Sequence, residues 1–218
     1  KLIANYTNSA KLAALMPSMY NFEMKNKTTS GLIKKMSGFA KERSMPSVHK
    51  TTLRNWYKKH QSKNNELGQR SAVNGQLYLF CDEFTNYNDT EIGIKAILLL
   101  EKLGYEVIIP EHLESGRTWL SKGLIRDAKK IINKNIALLK DLITEEQPLL
   151  GIEPSAILTF RDEYIDLADD DLFDAAKSLS KNVFTIEEFI AGEIDKGNIT
   201  SSQFKNDKRN IKLHGHCQ

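Results

Sequence analysis

The side chains of this sequence best suited to chemistry fall in two places. Glu83, Glu114 and Glu153 each follow a short apolar run, with Asp82, Ser115, Arg117 and Arg161 close by in sequence. Carboxylates gathered in this way can bind a metal or move a proton. They can equally form a salt-bridged, hydrogen-bonded loop rim, and with no histidine or cysteine partner among them the rim is the better reading. Such a rim would be closed by Glu83–Arg117 or Glu153–Arg161 pairing. The second place, His214-Gly-His216-Cys217, is denser in good zinc or iron ligands, but one short cluster does not complete a site. On chemistry alone the chain is not a metal binder.

The elements that must position these groups read as β-α-β-α-β. Leu77–Phe80 is a short apolar run. Asp89–Gly104 then carries Ile92, Ala96, Ile97, Leu100 and Leu103 at helical spacing, with Asp89 placed to cap its start and Gly104 its end. Tyr105–Ile109 is a second strand stopped by Pro110. A second helix is expected over 122–143, and Leu149–Ile152 is a third strand. Right-handed crossovers make this an α/β, Rossmann-like parallel sheet of about four strands flanked by helices. Functional groups in such folds sit beyond the carboxyl ends of the strands, in loops that here begin at Asp82, Pro110 and Glu153.

The rest of the chain frames this core. Residues 1–60 read as an N-terminal helical segment: Lys1–Met16 closed by Pro17, then Ser30–Ala40, then Thr51–His60, with scattered lysines and arginines on solvated faces. Residues 61–75 are polar and read as a loop. Beyond the core, a helix is expected over Ala156–Leu167, followed by an acidic break at Asp169–Asp171. Three consecutive aspartates lack the alternation of a calcium loop. Next come a helix at Leu172–Leu179, a short strand at Val183-Phe184, and a capping box at Thr185–Glu188. Ile211–His214 reads as one more strand.

Composition narrows the class. The 218 residues are 40% hydrophobic and 27% charged, as in a globular chain with a core. A net charge of +3 is too small to argue for nucleic acid or an acidic membrane. No apolar run is long enough for a membrane span. The two cysteines, Cys81 and Cys217, make no disulfide framework, so a cytoplasmic setting is expected. No Gly-x-Gly-x-x-Gly follows the first strand, and neither a phosphate loop nor a Gly-x-Ser-x-Gly elbow occurs. Lys1 in place of Met, and a strand followed by an unfinished loop at Gly215–Gln218, read as a piece of a longer protein.

At Leu79-Phe-Cys-Asp-Glu-Phe-Thr-Asn-Tyr87, Ser115-Gly-Arg117, Gly151-Ile-Glu-Pro-Ser-Ala156, Arg161-Asp-Glu163 and His214-Gly-His-Cys217, the sequence resembles the cysteine-rich (CCG) repeats of FAD-linked oxidases and iron–sulfur oxidoreductases of the D-lactate dehydrogenase and glycolate oxidase type. The resemblance implies that 1–60 follows a ferredoxin-like domain, that 76–197 is a first repeat, and that 198–218 leads into a truncated second one. It also marks where cluster ligands would stand, and there the sequence departs from the family. Glu83 holds the first position, with Cys81 two residues early. Glu114-Ser115 replaces the cysteine pair, and Ala156 the last cysteine. Clusters are held mainly by thiolates, so this repeat is expected to bind none. Only Cys217 fits a ligand position, in the second repeat.

The resemblance implies a parent enzyme that oxidises a small 2-hydroxy acid at FAD and passes electrons through 4Fe-4S clusters. This chain would supply a scaffold without catalytic residues, metal or cofactor, packed against the FAD domain, the ferredoxin-like domain and the second CCG repeat, with no nucleic acid partner. A different expectation is an anion-binding or docking module, with a carboxylate or phosphate held by Arg117, Ser155 and Arg161.

Overall fold

The computed structural model describes residues 3–66, 74–208 and 210–212. Four strands form one parallel sheet in the order β2-β1-β3-β4: β1 (Gly75–Phe80), β2 (Tyr105–Ile108), β3 (Leu149–Gly151) and β4 (Val183–Thr185). Before the sheet come helices α1 (Tyr6–Ala13), α2 (Pro17–Lys25), α3 (Lys27–Ser37) and α4 (Leu53–Glu66). Between β1 and β2 lie α5 (Glu83–Tyr87) and α6 (Thr90–Lys102), and between β2 and β3 lie α7 (Arg117–Leu120) and α8 (Ile125–Leu139). Then follow α9 (Pro154–Ile157), α10 (Glu163–Asp166), α11 (Phe173–Lys181) and, after β4, α12 (Ile186–Asp195). The parallel α/β class expected from the alternating apolar runs is the one observed.

The two faces of the sheet follow from the two-residue period of a strand. Tyr78 and Phe80 point into one core with Ile132, Ile136 and Leu139 of α8, Phe160, Tyr164 and Leu179. Leu77, Leu79 and Cys81 point into the other, with Leu53 of α4, Ile97 and Leu100 of α6, and Ile186 of α12. The crossover through α6 therefore covers one face and the crossover through α8 the other. Because β3 returns to the far side of β1, the order in which strands are added reverses between them, while all four stay parallel. The carboxyl ends of β1 and β3 thus form the switch point where α/β sheets place their sites.

Several boundaries differ from the sequence reading, each for a local reason. The helix read over 122–143 is α8, shorter at both ends: Gly123, at φ 69, turns the chain before it, and α7 precedes that turn. The stretch 156–167 is not one helix but α9, a 3-10 turn at Leu158–Phe160 and α10, because the chain must turn its aromatic side chains into the core. Pro17 does not close a helix; it opens α2 at its first position, where a missing N–H costs nothing. Helix α4 runs on to Glu66, into the stretch read as loop. Ile211 and Lys212 are not in a strand, and the remainder of that expected strand lies outside the described residues. The Thr185–Glu188 capping box forms as read.

The N-terminal segment is packed onto the α/β unit. Leu53 is fully buried under β1. His60 bonds the Glu101 carboxylate at 2.7 Å, and the Tyr57 hydroxyl donates to the Val107 carbonyl at 2.9 Å. From α1, Tyr6 stacks on Phe84 at 5.1 Å and donates its hydroxyl proton to Asn88.

One close approach holds the carboxyl end of β3 to α9. A Cβ added at Gly151 would lie 2.2 Å from Ile157 Cβ and 2.5 Å from its Cγ1, atoms of a branched side chain that cannot swing aside. Gly151→Ala should therefore cost about 3 kcal/mol of stability by overpacking, read as a lower urea midpoint at unchanged slope.

Candidate functional site

The site begins with a cap. Asp82, the residue after β1's loop entry, accepts the N–H groups of Phe84 and Thr85 at 2.9 Å on one oxygen, and the Thr85 hydroxyl at 2.6 Å on the other. This starts α5 immediately, so Glu83 becomes its first residue and turns inward, only 2% exposed. There its carboxylate meets Ser115 from the loop after β2: the serine N–H donates at 3.0 Å and the hydroxyl at 2.7 Å. The Tyr164 hydroxyl donates to the Ser115 carbonyl at 3.1 Å and accepts from the Asn135 amide at 2.8 Å. Asn135 also donates to the Glu114 carbonyl at 2.9 Å and accepts the Leu113 N–H at 2.8 Å. Buried polar groups demand partners, and here each finds one.

Burial dominates the electrostatics. It pushes the Glu83 carboxyl up to about 7, against the Ser115 hydrogen bonds that favour the charged form, with the neighbouring Asp82 charge adding to the rise. It pushes Asp82 up to about 6, opposed by the Thr85 and Phe84 bonds. The Cys81 thiol is pushed up to about 12 by the same desolvation. His112 is held down to about 3, first by burial and then by the positive charge of Arg54.

The other residues singled out in the sequence have separate engagements. The Glu114 side chain accepts from the Trp119 indole at 3.0 Å and from the Thr7 hydroxyl of α1. Glu153 caps α9 through the Ser155 N–H and hydroxyl. Ala156 is core, 1% exposed. The expected pairs Glu83–Arg117 and Glu153–Arg161 do not form. Both glutamates are drawn to local donors, so the arginines pair elsewhere. Arg117 meets Glu163 at 2.9 Å, and Arg161 meets Glu188 at 2.6 Å and the Val183 carbonyl at 2.8 Å. Arg117, Ser155 and Arg161 thus each carry an internal partner. His214, His216 and Cys217 lie outside the described residues.

Four participants were not legible as such in the sequence. Asn135 stands beside Ile132 and Ile136 on the buried stripe of α8, and a polar residue on such a stripe was the available signal. Tyr164 looked like one more apolar residue of a helix. Arg54 was one of many basic residues before the core. His112 lies two residues past Pro110 at the carboxyl end of β2. Its Nε2 faces two obligate donors, the Cys81 N–H at 3.1 Å and Arg54 Nη2 at 2.6 Å, so the ring proton is on Nδ1, which donates to the Leu113 carbonyl at 2.6 Å.

This donor set does not fit an iron–sulfur cluster. The three strand-end loops offer a carboxylate already closed on a serine, a second carboxylate engaged by an indole, and a methyl group. Cys81 is a buried neutral thiol, whereas a ligand must be a thiolate. Among the described residues, no group of three or more histidine, cysteine, aspartate and glutamate side chains is placed to hold a metal. No described helix is long and apolar enough to cross a membrane. A cavity of about 300 Å³ opens beside the site, between α1, α4 and the ends of β1 and β2. A larger one, about 700 Å³, lies at the amino ends of the strands, near Asn74, Glu145 and Asn182, away from the end where such sheets bind ligands.

Fold and site define a parallel α/β domain with a buried carboxyl–hydroxyl closure at the carboxyl end of its sheet. Over 168 residues, 75% of its length, the chain is 26% identical to D-2-hydroxyglutarate dehydrogenase of Escherichia coli (strain K12). It is equally similar to the protein of the same name from Pantoea ananatis, and 27% identical to that of Haemophilus influenzae. The matched stretch spans 16% of the length of these relatives. No family model matches the chain. No solved structure matches it. The relatives bear out the resemblance to oxidoreductases of the D-lactate dehydrogenase type.

The raised Glu83 carboxyl sets a pH dependence. A group more basic in the folded chain than in the unfolded one contributes stability at low pH that is lost as pH rises through its folded value. For Glu83 the window runs from about 4.5 to about 7. Glu83→Gln does not titrate, so its stability relative to wild type should rise across that window, by about 3 kcal/mol, and level off above it. Asp82 (same direction) and His112 (opposite direction, below about 6.5) titrate in both proteins and cancel in the difference. Urea melts of both proteins between pH 4.5 and 8 measure it; a constant difference would show that Glu83 stays charged throughout.

Proposed function

We propose that this chain is a structural part of a flavin-linked iron–sulfur oxidoreductase that oxidises a small 2-hydroxy acid. In this reading FAD and 4Fe-4S clusters are held by other parts of a longer, cytoplasmic protein. Residues 76–197 are a CCG-like repeat that has lost its cluster, and Cys217 is a ligand of a second repeat beyond it. The observation that carries the reading is the Glu83–Ser115 closure, at two positions where the resemblance places cluster ligands. Similarity to proteins named D-2-hydroxyglutarate dehydrogenase supports the substrate class. A band of exposed apolar side chains on the N-terminal helices and the turn between them, including Leu12, Leu15, Met19, Phe22, Leu32 and Met36, supports packing against the FAD domain, the ferredoxin-like domain or the second repeat.

In this role the chain's residues position rather than react. The loop after β2 is pinned at Leu113, Glu114 and Ser115 by Asn135, Tyr164 and Glu83. A carboxylate that accepts two hydrogen bonds from one serine replaces what metal–thiolate bonds would otherwise supply, namely a tie between the β1 and β2 loops.

Anaerobic reconstitution of the isolated chain with ferrous iron and sulfide tests this. After desalting, iron and acid-labile sulfide should be far below one cluster per chain. Stoichiometric iron and sulfide with visible thiolate-to-iron charge-transfer absorption would overturn the reading.

A further inference from the structure

We infer that the cavity between α1, α4 and the carboxyl ends of β1 and β2 binds a small carboxylate, anchored by Arg54. The guanidinium of Arg54 lines this cavity and is engaged only by neutral acceptors: the Pro110 carbonyl at 3.2 Å from Nη1 and His112 Nε2 at 2.6 Å from Nη2. Arg117 and Arg161, by contrast, each meet a carboxylate. No described carboxylate lies within ion-pair distance of Arg54. Half-buried cations without a counter-charge are costly unless something completes them.

The groups that line the cavity do not pair with that charge. His112 must be neutral, since both groups facing its Nε2 are donors. Cys81 is a neutral thiol. Glu83 and Glu114 also line the cavity, but their oxygens are taken up by Ser115 on one side and by Trp119 and Thr7 on the other. Lys11, exposed at the rim on α1, has no carboxylate partner among the described residues and adds a second positive charge.

Size and chemistry select the ligand. A cavity of about 300 Å³ is at the small end of ligand sites and excludes a nucleotide. Two of the five guanidinium N–H groups are used internally, and the planar fork matches two oxygens of a carboxylate. The place, at the carboxyl ends of parallel strands, is where α/β folds bind ligands. This site does not rest on the redox reading, although Glu83 and Glu114 stand on its wall, and it differs from the Arg117, Ser155 and Arg161 group, whose arginines are internally paired.

The ¹⁵N-labelled chain titrated with acetate and with succinate, at constant ionic strength in chloride, tests the site. Saturable amide shifts are expected at Cys81, Asn86 and Leu113, with weaker or no response to inorganic phosphate. Arg54→Gln should weaken binding about tenfold or more through loss of a charge-assisted pair. Arg54→Lys, which keeps the charge but not the fork, should fall between. Arg117→Gln should leave affinity within about twofold. If Arg54→Gln does not fold, the wild-type shift map and Arg54→Lys decide. No saturable shift, shifts centred on Arg117 or Arg161, or phosphate binding as tight as carboxylate would each overturn the inference.

Discussion

The carboxyl end of the sheet depends on the buried closure of Glu83 on Ser115. It joins the chain segments that open two successive crossovers, the one after β1 leading into α5 and α6 and the one after β2 leading into α7 and α8. Asp82 supports the closure by capping α5, so that Glu83 is its first residue and is buried. Tyr164 and Asn135 then hold the serine's own backbone and the two residues before it. A network of this kind is strong only when complete, because an unmet buried polar atom is expensive in a low-dielectric core. Its completeness explains how a carboxyl group can remain buried at the head of a parallel sheet.

The same closure separates scaffold from chemistry. The carboxyls and thiol nearest the strand ends are neutralised or engaged: Glu83 by burial and serine, Cys81 by burial, Glu114 by an indole and a threonine, Glu153 by its own helix. The arginines on the α10 side are paired with Glu163 and Glu188. A guanidinium with no carboxylate partner among the described residues stands on the other side of the sheet end, at Arg54, brought there by an N-terminal helix packed under β1. The N-terminal segment thus contributes to the site as well as to the core. The donor set of the chain itself is that of a closed polar core.

Much of this was open to reading from the amino-acid sequence. The apolar runs at β1, β2 and β3, the helical stripe of α6, and the Thr185 capping box depend on neighbours within one turn or one strand, so composition and period sufficed. That Glu83, Glu114 and Glu153 would share one end of a sheet followed from chain order in a parallel fold alone. The absence of thiolates at Glu83, Glu114-Ser115 and Ala156 is likewise a property of the sequence. What only the tertiary structure decided was who meets whom. Glu83 chose Ser115 over Arg117, Arg161 chose Glu188 over Glu153, and Arg54 and His112 met across 58 positions of sequence. The physical reason is that hydrogen bonds and ion pairs act over about 3 Å, a range that local pattern cannot specify between elements brought together only when both faces of the sheet are packed.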